Sequence, residues 1–371
     1  MALTGSATLE GTARFRDRLA ALAADGHFRP SNGLWLSSLG AGTYLGEPDA
    51  ETDALYTRAL ARALELGVNV LDTAINYRFQ RSERSIAAAL AAAVEQGKLA
   101  RDEVVVASKA GFLTFDGGYP PDPRAYFEEH YVRPGILRPE EIVGGMHCLA
   151  PRYLADQLER SRRNLGLDTI DIYYLHNPET QLQVVAREEF LSRIRAAFAA
   201  LEEAVAVGKL RAYGAATWDG FRRRPDARDY LSLEELVKTA EQVAGPQHRF
   251  KIIQLPYNLA MPEAFGFQNQ TVGGQAMSVL EAARRLGLTV FASASILQGQ
   301  IARDLPAAVR KRLNGNLQTD AQRALQFVRS TPGIGAALVG MKNLQHVEEN
   351  LKLAGLPLAG ADDFNKLFAG E

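Results

Sequence analysis

Residues 154–176 read LADQLERSRRNLGLDTIDIYYLH, a helix pattern and a strand pattern back to back. Leu154, Leu158, Ser161 and Leu165 recur at helical spacing with charges between them, and Gly166 follows as a stop. Ile170–His176 is then a short, nearly continuous apolar run, as in a strand covered on both faces. The unit repeats in both directions. Strand-like runs fall at Ser38–Ala41, Val70–Thr73, Val104–Lys109, Ala212–Ala216, Ile252–Gln254, Val290–Ala292 and Ala337–Gly340, which with Ile170–His176 makes eight. Between them lie amphipathic stretches: Tyr56 to Leu64 before Gly67, Ile86 to Val94 before Gly97, and Leu191, Ile194, Phe198, Leu201 and Val205 before Gly208. Others end at Gly287, cover Thr319–Ser330 and start at Leu344. Eight strand–helix units without a linker of biased composition predict an α/β fold, a (β/α)8 TIM barrel spanning 1–371 as one domain. The alternative is a doubly wound parallel sheet. Gly40, Gly42 and Gly46 only loosely imitate its glycine-rich turn, and the acidic residue about twenty positions on is missing.

Two regions exceed a minimal barrel. Residues 1–35 form an N-terminal extension, with a helix expected over Ala13–Ala24 and a hairpin over Phe28–Leu36, turning at Asn32-Gly33 and placed to plug the barrel floor. Residues 111–150 form a long insertion after the third strand, rich in Gly, Pro and aromatics. It leaves from the rim where such barrels keep their active sites. Its aromatics Phe112, Phe115, Tyr119, Tyr126, Phe127 and Tyr131 are therefore expected to wall the substrate mouth as a flap hinged at Gly117-Gly118. The alternative is a wrap around the outer wall.

Composition removes several function classes. Of 371 residues, 47% are hydrophobic and 23% charged, which excludes disorder. Lys+Arg 42 against Asp+Glu 43 leaves no basic surplus for a nucleic-acid partner. One cysteine, Cys148, excludes an intrachain disulfide and any cysteine-rich metal site, and His130, His147 and Cys148 match no zinc spacing. The apolar run Ile86–Val94 is too short for a bilayer, and residues 1–19 lack a signal-peptide core. No metal, no membrane, a cytoplasmic location and a monomer are the expectations.

Residues just past barrel strands are the candidates for chemistry. They are Asp72 with Asn76-Tyr77, Ser108-Lys109, His176-Asn177, Ala216-Thr217-Trp218, and Gln254. Singly each has a bland reading: Asp72 as a turn residue, Tyr77 as packing, His176 as a core histidine. Lys109, after Val104-Val105-Val106-Ala107, is harder to dismiss, because a desolvated lysine needs a partner. Acid, phenol, amine and imidazole on one rim make a joint purpose the better reading.

Leu71-Asp72-Thr73-Ala74-Ile75-Asn76-Tyr77, with Ser82-Glu83 after it, resembles the first signature of the aldo-keto reductases. Ser161 to Asp168, continuing to His176, resembles the second. Gly208–Gly214, Gln254–Asn258 and Glu349-Asn350 follow in family order, so the resemblance covers about Leu39 to Ala354. It implies reduction of an aldehyde or ketone by hydride from NADPH or NADH, NADPH being the first choice. Tyr77 is then the general acid, Lys109 the group that lowers its pKa, Asp72 the anchor of Lys109 and His176 the group that orients the carbonyl. The cofactor then meets Gly42, Thr43, Asn177, Thr217, Gln254 and Ser293, with Thr217, Gln254 and Ser293 at the nicotinamide. The phosphate half falls to Gly340, Lys342, His346, Glu349 and Asn350, with helix-start N–H groups after Asn343.

The chain departs from the family pattern in three places. Ala216-Thr217 stands for a Ser-Asn pair, Ser293 for a tyrosine under the nicotinamide ring, and His346 for an arginine of the 2′-phosphate clamp. Arg222-Arg223-Arg224 reads as a solvated charge run near the fifth strand's loop. Two other functions remain open on sequence alone. One is a catalytically weakened nucleotide-binding sensor or assembly subunit of the same fold. The other is a Schiff-base aldolase using Lys109.

Overall fold

In the computed structural model, which describes residues 2–313 and 316–360, eight parallel strands close into a barrel in chain order. They are β1 (Leu39–Gly42), β2 (Val70–Asp72), β3 (Val105–Ala110), β4 (Ile170–His176), β5 (Leu210–Ala216), β6 (Phe250–Pro256), β7 (Thr289–Ser293) and β8 (Ile334–Gly340). The outer helices are α1 (Ala50–Glu65), α2 (Arg81–Glu95), α3 (Pro151–Leu165), α4 (Arg187–Ala206), α5 (Leu233–Ala244), α6 (Val279–Arg285), α7 (Asp320–Ser330) and α8 (Leu344–Leu351). Every expected strand is present. β5, β6 and β8 begin earlier than their apolar runs, because Arg211, Lys251 and Gly335 interrupt hydrophobicity without interrupting the ladder, as in the pairs Ile170–Leu210 and Tyr213–Phe250. The helix ends follow local chemistry. Pro151 opens α3, Gly166 closes it at φ +62, and the Ser232 and Thr319 hydroxyls accept backbone N–H bonds at the starts of α5 and α7.

The period-two alternation of the strands divides the core in two. Leu71, Val106, Tyr173, Leu175 and Ile253 face outward into the helix layer. Val70, Val105, Ala107, Ile172, Tyr174, Ile252, Phe291, Ala336 and Leu338 fill the barrel. Gly214 on β5 permits the tightest approach, since a Cβ there would sit 1.8 Å from the Ile252 carbonyl oxygen.

The floor is closed by the expected hairpin, Phe28–Ser31 against Leu34–Ser37, with Asn32 and Gly33 both at positive φ as a two-residue turn requires. Leu34 and Leu36 join the interior cluster from below. The N-terminal helix runs Leu9–Arg18 rather than Ala13–Ala24, because the Thr8 hydroxyl accepts from Gly11 N–H and fixes an earlier start. Ahead of it, Asp171 accepts from Ala7 N–H and pairs with Arg101, pinning the extension to the base of β4.

The insertion corrects the flap expectation. Phe115 packs on Phe79, Tyr119, Tyr126 and Phe127. Tyr131 is fully buried against Tyr153 of α3, with Arg160 over its ring. Apart from the exposed Tyr119, these aromatics pack on one another on the α3 side of the barrel, and of the six only Phe112 reaches the cavity described next.

Candidate active site

A cavity of about 870 Å3 opens at the C-terminal ends of the strands, between the loops that follow β1, β2, β4, β5, β7 and β8. Asp72, Tyr77 and His176 line it. Lys109 does not; it is fully buried behind them. Its ammonium donates to Asp72 Oδ2 at 2.6 Å and to the Thr73 carbonyl at 2.7 Å, while Gln254 Nε2 donates to Asp72 Oδ1 at 2.8 Å. Both carboxylate oxygens are thus taken. Lys109 Nζ lies 4.9 Å from the centre of the Tyr77 ring, and the Tyr77 ring stands edge-on to Tyr44 at 4.9 Å and to His176 at 5.8 Å.

The electrostatics differ from expectation in one respect. Burial raises the Tyr77 phenol well above its ordinary value, and the Asp72 charge and Tyr44 push the same way. The Lys109 ammonium, bonded to Asp72 and Thr73, faces the ring at 4.9 Å and favours the phenolate, but burial outweighs it. Burial also pulls Lys109 below its usual value, against Asp72. His176 is lowered well below 6.5 by burial and then by the Lys109 charge, so its imidazole is neutral near pH 7. Tyr77 therefore holds its proton through the neutral range.

All eleven positions expected to meet the cofactor line the same cavity: Gly42, Thr43, Asn177, Thr217, Gln254, Ser293, Gly340, Lys342, His346, Glu349 and Asn350. Among the described residues, Thr217 Oγ1, His176 Nδ1 and Asn350 Oδ1 are buried without a hydrogen-bond partner. Each such atom costs about 1–3 kcal/mol unless a ligand or water meets it, so this wall fits a polar, amide- and hydroxyl-bearing molecule such as a nicotinamide nucleotide. Gln254 is less free than expected, its amide nitrogen being committed to Asp72. Next to Lys342, Asn343 caps α8 by accepting from Gln345 N–H, which removes one helix-start donor. Lys342 and His346 are exposed.

Sequence reasoning missed several groups here. Tyr44 and Leu45 line the cavity beside the expected Asn76 and Trp218, and both lie within a few residues of the end of β1, which is the signal that finds them. Glu179 was invisible. It is buried under the loop after β5, its Oε1 accepting from the N–H groups of Trp218, Asp219 and Gly220, and burial pushes its carboxyl up to about 7. Arg222, Arg223 and Arg224 pair with Asp219, Glu263, Asp229 and Asp226, away from the cavity lining. His147 is fully buried and Cys148 packs with Tyr131 and Tyr153; no group of three metal-binding side chains occurs among the described residues. No helix among them is long and apolar enough to cross a membrane.

Comparison with known proteins places this geometry. The model of the aldo/keto reductase family matches residues 38–260. An NADH-specific methylglyoxal reductase of Escherichia coli (strain K12) is 30% identical over 211 residues, 55% of this chain and 54% of that one. A D-threo-aldose 1-dehydrogenase of a Pseudomonas species is 31% identical over 170 residues, 42% and 41% of the two chains. The chain spans about half the length of these relatives. In fold, an aldo/keto reductase from Klebsiella pneumoniae, solved with NADP and acetate, superposes with a TM-score of 0.63 at 20% identity, over 93% of this chain and 94% of that one. An aldo-keto reductase from Bacillus halodurans in its holo form gives 0.62 at 20% identity, over 92% and 95%.

Proposed function

The chain belongs to the aldo/keto reductase family, and on that premise we propose that it reduces a small aldehyde or ketone to the alcohol with NAD(P)H. The observation that carries this reading is the contact set at the cavity floor, where Tyr77 meets both the Lys109–Asp72 pair and His176. A reduced nicotinamide, when bound, supplies the hydride for the carbonyl carbon. Thr217, Ser293 and Asn177 would hold its amide end, and Gly340, Lys342, His346 and Asn350 its phosphates and adenosine.

The protein's own part is the proton. As charge develops on the carbonyl oxygen, Tyr77 gives its phenolic proton to that oxygen, a step worth about 10²–10⁴ in rate. Burial keeps the phenol protonated until that moment, and the Lys109 ammonium behind the ring stabilises the phenolate that is left. Asp72 holds the ammonium in place. His176, as neutral imidazole, donates a hydrogen bond to the same oxygen and fixes its direction.

NADPH is the preferred donor in this reading, because Lys342 and His346 at the phosphate end are free of protein partners among the described residues. NADH is the alternative, and one relative is named as NADH-specific. A monomer in the cytoplasm completes the proposal, with light scattering and cell fractionation as its checks. The aldolase reading loses its support, since a Schiff base needs an accessible amine and Lys109 is fully buried and paired. The test is loss of reduced-nucleotide absorbance on an aldehyde panel. Turnover in the wild type and about 10³-fold less in Tyr77→Phe is the expected result; turnover near the wild-type level in Tyr77→Phe overturns the assignment.

A further inference from the structure

His176 stands at the end of β4 with no side-chain hydrogen bond to hold it, since its Nδ1 has no partner among the described residues. Its ring meets those of Phe112 at 5.1 Å and 90° and Tyr77 at 5.8 Å. The backbone turns sharply after it, with Asn177 at φ +47. Something else must fix the direction of this imidazole.

That something is on the insertion. His147 Nε2 lies 2.7 Å from the His176 carbonyl oxygen, and the His147 ring meets Phe112 at 5.0 Å and 81°, so Phe112 packs edgewise on both histidines. The protonation of His147 follows from its neighbours. Arg193 of α4, which can only donate, meets Gln181 Oε1 at 2.7 Å. Gln181 Nε2 therefore faces His147, 2.8 Å from Nδ1, which must accept. The proton is left on Nε2 and donated to the His176 carbonyl. Gln181 and His147 are both fully buried, and burial lowers the imidazole to about 4, so it stays neutral. Gly111 leaves room for the contact, as a Cβ there would sit 2.7 Å from both His147 Nε2 and the His176 oxygen.

We propose that His147 is a positioning residue for carbonyl reduction. Through the His176 carbonyl and the Phe112 ring, with Gln181 and Arg193 setting its tautomer, it holds the imidazole that faces the substrate oxygen. The proposal rests on the reductase reading of this site. It gives the insertion a role that its aromatics other than Phe112, which stay out of the cavity, do not have.

The experiment measures kcat/KM for aldehyde reduction, nucleotide affinity by fluorescence quenching, and melting temperature in His147→Leu, His147→Gln and Gln181→Leu. Each variant is made in the wild type and in His176→Gln. His147→Leu should lose between roughly 10- and 100-fold in kcat/KM with nucleotide affinity within twofold, the scale expected of a small misplacement at the reacting centre. His147→Gln, which keeps a donor for the carbonyl, should recover most of that loss. In the His176→Gln background the His147→Leu loss should vanish. Full activity in His147→Leu overturns the proposal, and so does an equal further loss in the His176→Gln background, which marks a structural role only. If His147→Leu does not fold, Gln181→Leu carries the same comparison, and wild-type activity there overturns it. A wild type that turns over no aldehyde, or an active Tyr77→Phe, sinks the reductase reading itself. Intact His147 variants beside a dead Tyr77→Phe sink this proposal alone.

Discussion

The two ends of the cavity are built to opposite specifications. At the floor, Lys109 and Asp72 are desolvated together and bonded to Thr73 and Gln254, so every position is set before a ligand arrives. At the rim, Lys342 and His346 stand exposed with no protein partner among the described residues. A buried ion pair is costly to assemble and severe to break, whereas an exposed cation costs little and contributes little. In the proposed reading the difference separates chemistry, which needs fixed geometry, from nucleotide choice, which a few exposed side chains can retune.

The largest test breaks the floor at its reacting group. Tyr77→Phe should lower kcat by about 10³-fold and leave nucleotide affinity within a few fold, read by steady-state kinetics beside fluorescence titration. Lys109→Met strips Asp72 of its counter-charge and should cost about 3–5 kcal/mol of stability, visible as a lower denaturation midpoint together with lost turnover. If the midpoint holds, the floor is less pre-set than the geometry says.

Glu179 sharpens the same contrast beneath the Trp218 loop. Burial raises its folded pKa to about 7, from about 4.3 in an unfolded chain. Its contribution to stability is therefore fully present below about pH 4 and lost as pH rises through 7. Glu179→Gln keeps an acceptor for the three N–H groups and removes the charge. It should match the wild type at acid pH and exceed it by about 3 kcal/mol at pH 8, measured by chemical denaturation at both pH values. The smallest effect belongs to the rim: His346→Ala should weaken NADPH binding by about two- to fivefold and NADH binding hardly at all. Equal changes for both nucleotides would remove His346 from the phosphate.

What sequence made legible was whatever local pattern encodes. The strands were readable because burial on both faces leaves continuous apolar runs, as at Ile170–His176. The floor quartet was readable because barrels put chemistry at strand ends. The Tyr77 pKa was not, since its direction follows from how completely the phenol is buried, which residue identity does not state. Glu179 and His147 were hidden for the same reason. Their partners are backbone groups 39 to 41 residues away for Glu179 and 29 residues away for His147, and a backbone group leaves no trace in residue identity. The insertion misled because aromatic content says that a segment packs but not which surface it packs on.

The hairpin under the barrel also sets a timetable. Its Arg29 donates to the carbonyl of Ile334, 305 residues further along the chain, and its Asn32 donates to the Lys251 carbonyl and the Thr289 hydroxyl. At about 5–20 residues per second, a chain leaving the ribosome presents the plug roughly 15 to 60 s before the last strand that it seals against exists. For that interval Leu34 and Leu36 have no barrel to enter. Closure is a contact of very high sequence separation, the kind that slows folding and leaves apolar surface open to chaperones and to other nascent chains. Folding yield, rather than equilibrium stability, is then the property most sensitive to changes in this hairpin.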